Sequence, residues 1–365
     1  MSTVEEVVAA ADVPGIVALT ARGDDVRVTT AGSRSVGGEP VRRDSLFRIA
    51  SITKPVMASL AERLLDDGVL ELDEPVDRLL PELARPRVLR APDAALDDTV
   101  PADRPITVRD VLTYTAGFGM TLEMFGEPTW PWTAAVTAGR LNLIGPPDPD
   151  LPPDQDAWLA ELAELPLLAQ PGERWLYHGS GQLLGVLLAR VAGQWLPELL
   201  AERVTGPLGM VDTAFWTTDT DRLVTAYSGE EVFDAPDGKW TRPPAFPDAA
   251  AGLVSTVDDL FAFARSVRDR PPMTREQLTP AQRESAHASG FLEPELSWGY
   301  GVSVTVDGPR AGSVGWAGGL GTSWHVDPAR DLTVVVLTQK LFTGPDDIAL
   351  HTRVVDAAYA ELAPS

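Results

Sequence analysis

The sequence contains no cysteine among its 365 residues. Disulfide bonds, thiolate metal sites and a cysteine nucleophile are therefore excluded, although this absence does not identify the cellular compartment. Positive charge is also scarce, because 53 acidic and 30 basic side chains give a formal net charge of −23. Nucleic-acid binding needs a basic face, so the composition argues against a nucleic-acid partner.

Long hydrophobic runs and a cationic N-terminal segment are missing too. No stretch reaches the roughly 18 uninterrupted apolar residues that indicate a membrane-spanning helix. Glu5 and Glu6 stand where a secretion signal would carry positive charge. Hydrophobic residues make up 44% of the chain, which is typical of a globular protein. We therefore expect a cytoplasmic protein with no membrane partner.

Strand-forming residues lie at both ends of the chain. A hairpin is predicted around the turn at residues 22–25, and a closing helix is predicted over residues 346–362. Predicted strands occupy residues 15–20, 26–30, 300–306, 321–326 and 332–338. Short connections between these strands favour one antiparallel five-stranded sheet, assembled from the two termini and flanked by helices.

The middle of the chain has a different character. Helices are predicted at residues 1–11, 60–72, 107–115, 157–168, 181–191 and 257–267. The Pro- and Gly-rich stretch 128–171 contains Trp130 and Trp132, so it is predicted to be an irregular helical insert; these indoles could rim a pocket, but core packing is favoured. We expect an α/β (α+β) protein with a sheet domain of residues 1–72 and 250–365 and a mostly helical domain of residues 73–249.

A Ser-x-x-Lys motif uses one of the three lysines in the chain, in Ser51-Ile-Thr-Lys54. Lys54 heads a predicted helix, where a spacing of three returns both side chains to one face. A serine hydroxyl needs a neighbouring base, and lysine, unlike arginine, can lose its proton when desolvated. The motif alone also fits a helix-capping serine beside a solvated lysine, so both interpretations stay open at this point.

Other catalytic patterns are missing from the sequence. It has no Gly-x-Ser-x-Gly elbow, no His-Glu-x-x-His zinc helix and no Gly-x-x-x-x-Gly-Lys phosphate loop. The four histidines show no ligand spacing. We therefore expect no metal and no cofactor.

Several short segments, taken together and in order, resemble the serine β-lactamase-like superfamily. The likeness is closest to its class C β-lactamase and family VIII carboxylesterase branch. The segments are Phe47-Arg-Ile-Ala-Ser51-Ile-Thr-Lys54-Pro, Ile106-Thr-Val-Arg-Asp-Val-Leu-Thr-Tyr114-Thr-Ala-Gly117, Pro171-Gly-Glu-Arg-Trp-Leu-Tyr177-His178-Gly-Ser-Gly-Gln-Leu-Leu-Gly185, Ala251-Gly-Leu-Val-Ser-Thr-Val-Asp-Asp-Leu260, Trp298-Gly-Tyr-Gly301 and Gly315-Trp316-Ala-Gly318-Gly319.

The resemblance implies a catalytic role for three side chains. Ser51 would attack an acyl carbon, Lys54 would accept its proton and keep Tyr177 partly ionised, and Tyr177 would shuttle the proton and later activate water. The backbone N–H groups of Ser51 and Gly319 would form the oxyanion hole. Gly318, which lacks a Cβ, would let the substrate approach its strand.

Two departures from the lactamase pattern bear on the substrate. Gly179 stands where the lactamases carry asparagine, and Trp316 stands where they carry a lysine that meets a substrate carboxylate. An indole offers a flat apolar wall instead of a charge. These changes count against β-lactams and D-peptides and favour neutral esters. Trp316, His178 and Tyr114 are the other expected substrate contacts, although His178 could equally tune its neighbouring tyrosine or make a structural hydrogen bond.

The sequence therefore predicts a serine hydrolase that forms a covalent acyl-enzyme on small carboxylic esters of short or medium acyl chain. The alternatives are an amide or D-amino-acid peptide hydrolase, an acyltransferase, a β-lactamase and a non-catalytic ligand-binding relative. The expected partner is a small-molecule ester or amide, and the oligomeric state is not predicted.

Overall fold

The computed structural model of the protein describes residues 2–268, 270–343 and 345–362. Its strands are β1 (Gly15–Arg22), β2 (Asp25–Gly32), β3 (Phe47–Arg48), β4 (Arg87–Leu89), β5 (Thr99–Pro101), β6 (Ala226–Ser228), β7 (Glu231–Asp234), β8 (Val254–Ser255), β9 (Leu296–Trp298), β10 (Ser303–Thr305), β11 (Val314–Gly318), β12 (Thr322–Asp327) and β13 (Leu332–Thr338). Its helices are α1 (Val4–Ala9), α2 (Thr53–Asp66), α3 (Val108–Leu112), α4 (Pro131–Ala138), α5 (Gln155–Glu164), α6 (Gly179–Ala192), α7 (Leu196–Leu200), α8 (Gly206–Leu208), α9 (Val257–Val267), α10 (Pro271–Thr274), α11 (Pro280–Ala288) and α12 (Pro345–Glu361).

The main sheet has seven strands in the order β2-β1-β13-β12-β11-β10-β9. Every neighbouring pair is antiparallel, and β1 from the N-terminal end pairs with β13 from the C-terminal end. The antiparallel sheet built from both termini is therefore confirmed, but the predicted number of five strands is wrong. The additions are β9, which has three residues, and β11, which contains two glycines. A run of three residues is too short to show a strand pattern, and glycine inside a strand weakens the signal.

Both faces of the main sheet are covered, which explains the continuous apolar sequence of β13. Val334 and Val336 contribute to a hydrophobic cluster with α1 and α12. Val335 and Leu337 contribute to the larger cluster on the opposite face, which includes α2 and α9. Successive residues of a strand point to opposite faces, so a strand covered on both sides needs apolar residues at every position.

The predicted helices are present with altered limits. The helix predicted at residues 257–267 coincides with α9, whereas α2 begins at Thr53, before the predicted residue 60, and ends at Asp66. Gly68 follows with a φ of 69°, a left-handed conformation that glycine adopts without steric cost. The predicted N-cap of α3 is confirmed, because the Thr107 side chain accepts a hydrogen bond from the Asp110 backbone.

The insert at residues 128–171 contains α4 and α5 and buries two indoles. Trp132 donates a hydrogen bond to the Pro166 carbonyl at 3.0 Å, and Trp158 donates to the Leu141 carbonyl at 2.9 Å. Both rings lie in the large hydrophobic cluster, to which residues before and after this insert also contribute. The division into two domains stays a prediction.

No single helix in the described ranges is long and apolar enough to cross a membrane. One pair, Gly179–Ala192 with Leu196–Leu208, reaches the required length and composition only jointly, and it is bent by 83°.

Candidate active site

Ser51 lies in a short 3-10 turn that leads from β3 into α2. The pairing of β3 with β8 and a hydrogen bond from the Ile49 backbone to the Leu253 carbonyl, at 2.9 Å, fix the approach to this turn. Ala50 has a φ of 43°, a left-handed conformation that costs energy for a residue with a Cβ. The strain is therefore stored immediately before the candidate nucleophile.

The structure brings Ser51 and Lys54 together in a buried environment. Lys54 Nζ lies 2.9 Å from Ser51 Oγ, and the two residues are 1% and 8% exposed respectively. Pro55 directly follows the lysine and lies in the first turn of α2, where its missing N–H is tolerated. The alternative of a solvated lysine is therefore excluded.

The amine of Lys54 has two further polar neighbours. It lies 2.9 Å from the Ala250 carbonyl and 3.3 Å from His178 Nδ1. Burial lowers the pKa of Lys54 to about 7, while the negative charge of Asp248 acts in the opposite direction. A large fraction of the lysine is then a neutral amine near neutral pH, which is the form that can accept a proton from serine.

Tyr177 lies over the same amine, with Lys54 Nζ at 4.5 Å from the centroid of its ring. The Trp316 indole donates to its hydroxyl at 2.7 Å, and Ser51 is a second hydrogen-bond partner. Burial raises the pKa of Tyr177 above its usual range, and these two hydrogen bonds offset only part of that rise. The expected partial ionisation is therefore wrong, and Tyr177 is a protonated phenol at neutral pH.

His178 is the central residue of a γ-turn directly after the tyrosine. Its φ of 77° and ψ of −62° accompany a hydrogen bond of 3.1 Å from the Gly179 backbone to the Tyr177 carbonyl. The imidazole is buried, and burial together with the nearby Lys54 charge lowers its pKa well below the ordinary value. His178 is therefore neutral, and it contacts the lysine in addition to bordering the cavity described below.

The two glycines after Trp316 have different surroundings. A Cβ on Gly318 would overlap with the Ile49 carbonyl and the Thr322 hydroxyl, so this glycine lets β11 pack against the segment that carries Ser51. The expectation that its missing Cβ makes room for a substrate is therefore wrong. Gly319 is exposed and lines the cavity, as an oxyanion-hole residue would.

Tyr114 does not line the cavity, contrary to the expectation that it contacts substrate. Its ring is fully buried behind the site, 6.5 Å from the ring of Tyr177 and 6.3 Å from that of Trp175. Neither Trp130 nor Trp132 lines the cavity either. Tyr114 therefore lies behind the ring of Tyr177, on the side away from the cavity.

Two neighbours of Lys54 were not predicted from the sequence. The Asp248 carboxylate accepts hydrogen bonds from the Ala250 backbone at 2.8 Å and from Gln182 Nε2 at 3.3 Å, and burial raises its pKa. Both residues lie almost 200 positions after the lysine, in an alanine-rich stretch without a motif. The only signal was their position just before the segment 251–260, which the resemblance had marked.

A cavity of about 1180 Å³ opens above Ser51 and Tyr177. Its apolar walls include Phe125, Phe291 and Trp316, and acidic side chains also line it. Those acidic residues are Glu293, Glu295 and Asp307. In the described part of the lining, Arg310 is the one residue with a permanent positive charge, and it forms an ion pair with Asp356.

No group of three or more His, Asp or Glu side chains in the described ranges is arranged to hold a metal ion. The absence of a cofactor stays a prediction.

Comparisons with known proteins identify the family of this chain. A family model described as Beta-lactamase matches residues 2–359. Protein Rv1367c of Mycobacterium tuberculosis is 35% identical over 344 residues, which cover 86% of this chain and 82% of that protein. Esterase EstB of Burkholderia gladioli is 32% identical over 382 residues, which cover 95% of this chain and 91% of the esterase.

A solved structure shares the fold across nearly the whole chain. It is described as EstCE1, a hydrolase with promiscuous acyltransferase activity, and it has 28% sequence identity and a TM-score of 0.76. The match covers 98% of this chain and 97% of that one. The predicted β-lactamase-like fold is thus confirmed. The chain belongs to the Beta-lactamase family, and it is a serine hydrolase of the esterase branch of that family.

Proposed function

We propose that this enzyme hydrolyses neutral carboxylic esters through an acyl group held on Ser51. The observation that carries the proposal is the 2.9 Å contact between Ser51 Oγ and Lys54 Nζ in a buried site that borders a cavity. A desolvated lysine with a pKa of about 7 can act as a general base at neutral pH.

In the acylation step, Ser51 Oγ forms a bond to the acyl carbon while its proton moves to the lone pair of Lys54. Collapse of the tetrahedral intermediate breaks the bond to the alcohol oxygen, and that oxygen receives the proton through the Tyr177 hydroxyl. In deacylation a water molecule gives its proton to the same relay and adds to the acyl carbon; the bond from that carbon to Ser51 Oγ then breaks, the relay returns the proton to Ser51 Oγ, and the carboxylic acid leaves. The protonated phenol of Tyr177 suits a proton relay between lysine and leaving group.

The backbone N–H groups of Ser51 and Gly319 are the proposed oxyanion hole. The Gly318 carbonyl accepts a hydrogen bond from the Gly321 backbone at 3.0 Å within the turn after β11. In a trans peptide the N–H points away from the carbonyl, so the Gly319 N–H is directed away from that turn. Donors held in this way stabilise a developing negative charge without reorganisation.

The charges around the cavity favour a substrate without an anionic group. Trp316 uses its indole N–H on Tyr177 and offers no positive charge to a carboxylate. The acidic side chains of Glu293, Glu295 and Asp307 would repel one. A β-lactam or a D-peptide carries such a carboxylate, whereas a neutral ester does not.

The test is covalent labelling followed by a substrate panel. A fluorophosphonate should add once to the native protein and not to Ser51→Ala, as read by intact mass. Native protein should hydrolyse p-nitrophenyl esters faster than a chromogenic cephalosporin or D-amino-acid amides. Absence of both adduct and ester hydrolysis would favour a non-catalytic ligand-binding protein, and a preference for the cephalosporin would overturn the substrate class.

The compartment and the other partners rest on composition alone. A cytoplasmic location and the absence of nucleic-acid and membrane partners remain predictions from the charge and the apolar content of the chain. Cell fractionation with an antibody against the protein would test the location.

A further inference from the structure

The amine of Lys54 has three polar neighbours, and their chemistry differs. The Ala250 carbonyl at 2.9 Å can only accept a hydrogen bond, whereas Ser51 Oγ at 2.9 Å can either donate or accept. His178 Nδ1 is the third neighbour, at 3.3 Å. We assign the imidazole proton to Nε2, which has no hydrogen-bond partner among the described residues, so that Nδ1 can accept from the lysine amine.

A neutral amine fits these three neighbours in one way. It has two N–H groups and one lone pair, and the two acceptors use both N–H groups. The lone pair is then directed at the Ser51 hydroxyl, which is the orientation that a general base needs. Without the His178 acceptor, one N–H would compete for Ser51 Oγ and the lone pair could rotate away from the hydroxyl.

The backbone places the imidazole at this position at an energetic cost. A γ-turn with positive φ is a strained conformation for a residue with a side chain. The turn is anchored on its N-terminal side, where Tyr177 and Met120 exchange two backbone hydrogen bonds of 2.9 and 3.0 Å. On its C-terminal side, Gly179 packs against Gly119, where a Cβ would lie only 3.2 Å from the Gly119 Cα.

We propose that His178 is a positioning residue, whose Nδ1 holds the amine of Lys54 so that its lone pair faces the Ser51 hydroxyl. This inference rests on the proposed function, because it assigns a role within the same proton transfer. The titratable groups Asp248 and Tyr177 also face Lys54, and Tyr114 interacts with both of them, so the pKa that the acidic limb of the pH profile measures for the lysine includes their influence.

Three variants distinguish the loss of the hydrogen-bond acceptor at His178 from the loss of side-chain volume. His178→Leu keeps apolar volume without an acceptor, and His178→Gly lacks an acceptor but suits the positive φ. His178→Asn retains a side-chain oxygen that can accept from Lys54. We expect kcat on a p-nitrophenyl ester to fall about 100-fold in the first two variants and less than about 10-fold in His178→Asn.

The pH profile tests the role directly, because a residue that only supported the fold would not change the position of the acidic limb of kcat/KM. An ammonium group loses more than a neutral amine when an acceptor is removed, because its hydrogen bonds are charge-assisted. The acidic limb of kcat/KM should therefore shift to lower pH in His178→Leu and His178→Gly and stay in place in His178→Asn. Near-UV circular dichroism identifies the folded variants, and His178→Gly carries the test if His178→Leu does not fold.

Two outcomes separate this inference from the proposed function. Native kcat and a native acidic limb in the acceptor-free variants would overturn the role of His178 while leaving the esterase intact. Native protein without a fluorophosphonate adduct and without ester hydrolysis would overturn the proposed function itself.

Discussion

At the scale of single residues, the proposed mechanism makes the reaction depend on the protonation of Lys54. Its pKa is lowered to about 7 by burial, and the deprotonated amine is the proposed active form. We therefore expect kcat/KM to rise as the pH passes about 7 and to fall about tenfold per pH unit below it. A rate profile from about pH 5 to pH 9 with a p-nitrophenyl ester measures this limb. A rate independent of pH over that range would contradict it.

Replacing Lys54 by arginine tests the same proton transfer without removing the positive charge. A guanidinium stays protonated in a protein, so Lys54→Arg should lower kcat/KM by about 10³-fold or more. The matched control is Lys340→Arg, because Lys340 lies near the surface in an ion pair with Asp347. That control should retain native activity, and a comparable loss in both variants would argue against a base at residue 54.

Glu62, on the same helix as Lys54, is a buried acid that destabilises the fold at neutral pH. It is 4% exposed, its two carboxylate oxygens have no hydrogen bond in the described ranges, and burial raises its pKa from 4.5 to about 7. The folded state therefore binds this proton more tightly, and stability is lost as the pH rises from about 4.5 through 7. Glu62→Gln should gain about 1–3 kcal/mol at pH 8 and little at pH 4.5.

Urea unfolding at the two pH values measures this difference. Asp66→Asn is the matched control, because Asp66 faces the same Arg270, at 3.6 Å compared with 3.8 Å for Glu62, but its side chain is 72% exposed. The control should change stability by less than about 1 kcal/mol at either pH. An equal gain from both substitutions would show that the charge near Arg270, and not burial, is responsible.

The sequence predicted those site residues that lie close together in the chain. Ser51 and Lys54 share one helical turn, so their contact follows from a spacing of three. Asp248 and Ala250 reach the same amine only through the fold, and a contact across that separation has no local pattern. The ionisation of Tyr177 was predicted wrongly because burial, which decides the pKa, cannot be read from the neighbouring residues.

At the scale of elements, β11 must approach the segment that carries Ser51 without a side chain between them. Gly318→Ala would place a methyl group against the Ile49 carbonyl and the Thr322 hydroxyl. We expect a loss of about 1–3 kcal/mol in unfolding free energy. A shift of β11 would also separate the two proposed oxyanion donors, so kcat should fall about 100-fold.

The neighbouring glycine provides the control for this substitution. No heavy atom of the described residues lies within 4 Å of the Cβ that Gly319→Ala would add, and its φ is outside the left-handed region. Gly319→Ala should therefore change stability by less than about 0.5 kcal/mol. Thermal unfolding of Gly318→Ala and Gly319→Ala measures the difference in stability between them, and equal destabilisation would contradict the close approach at Gly318.

Long, periodic elements could be predicted, and short ones could not. The amphipathic pattern predicted α9 with correct limits, and the apolar run 332–338 coincides with β13 at both ends. In contrast, β9 has only three residues, and β11 contains two glycines and is held by pairing with both β10 and β12. The γ-turn at His178 is likewise held by tertiary contacts.

At the scale of the whole molecule, a buried ion pair joins β3, the strand that precedes Ser51, to the middle of the chain. Arg48 and Asp234 lie 186 positions apart and are 1% and 3% exposed at their side chains. The guanidinium also donates to the carbonyls of Val224 and Ala235. Arg48→Met should cost about 3–5 kcal/mol, because it leaves a buried carboxylate without its partner.

A double variant distinguishes pairing from simple loss of volume. Arg48→Met combined with Asp234→Leu should be less destabilised than the sum of the two single variants, because neither charge is then left alone. Arg43→Met is the surface control, since its pair with Asp258 is about half exposed. It should cost less than about 1 kcal/mol in urea unfolding. Additive single effects would contradict the buried pairing.

The scarcity of lysine has a practical consequence for attaching the enzyme to a support. Reagents that acylate amines do not modify arginine, which supplies the rest of the basic residues. Lys239 and Lys340 have side chains that are 38% and 34% exposed, whereas Lys54 is almost completely buried. Among the lysines, amine coupling to a resin would therefore use these two surface positions and leave Lys54 unmodified.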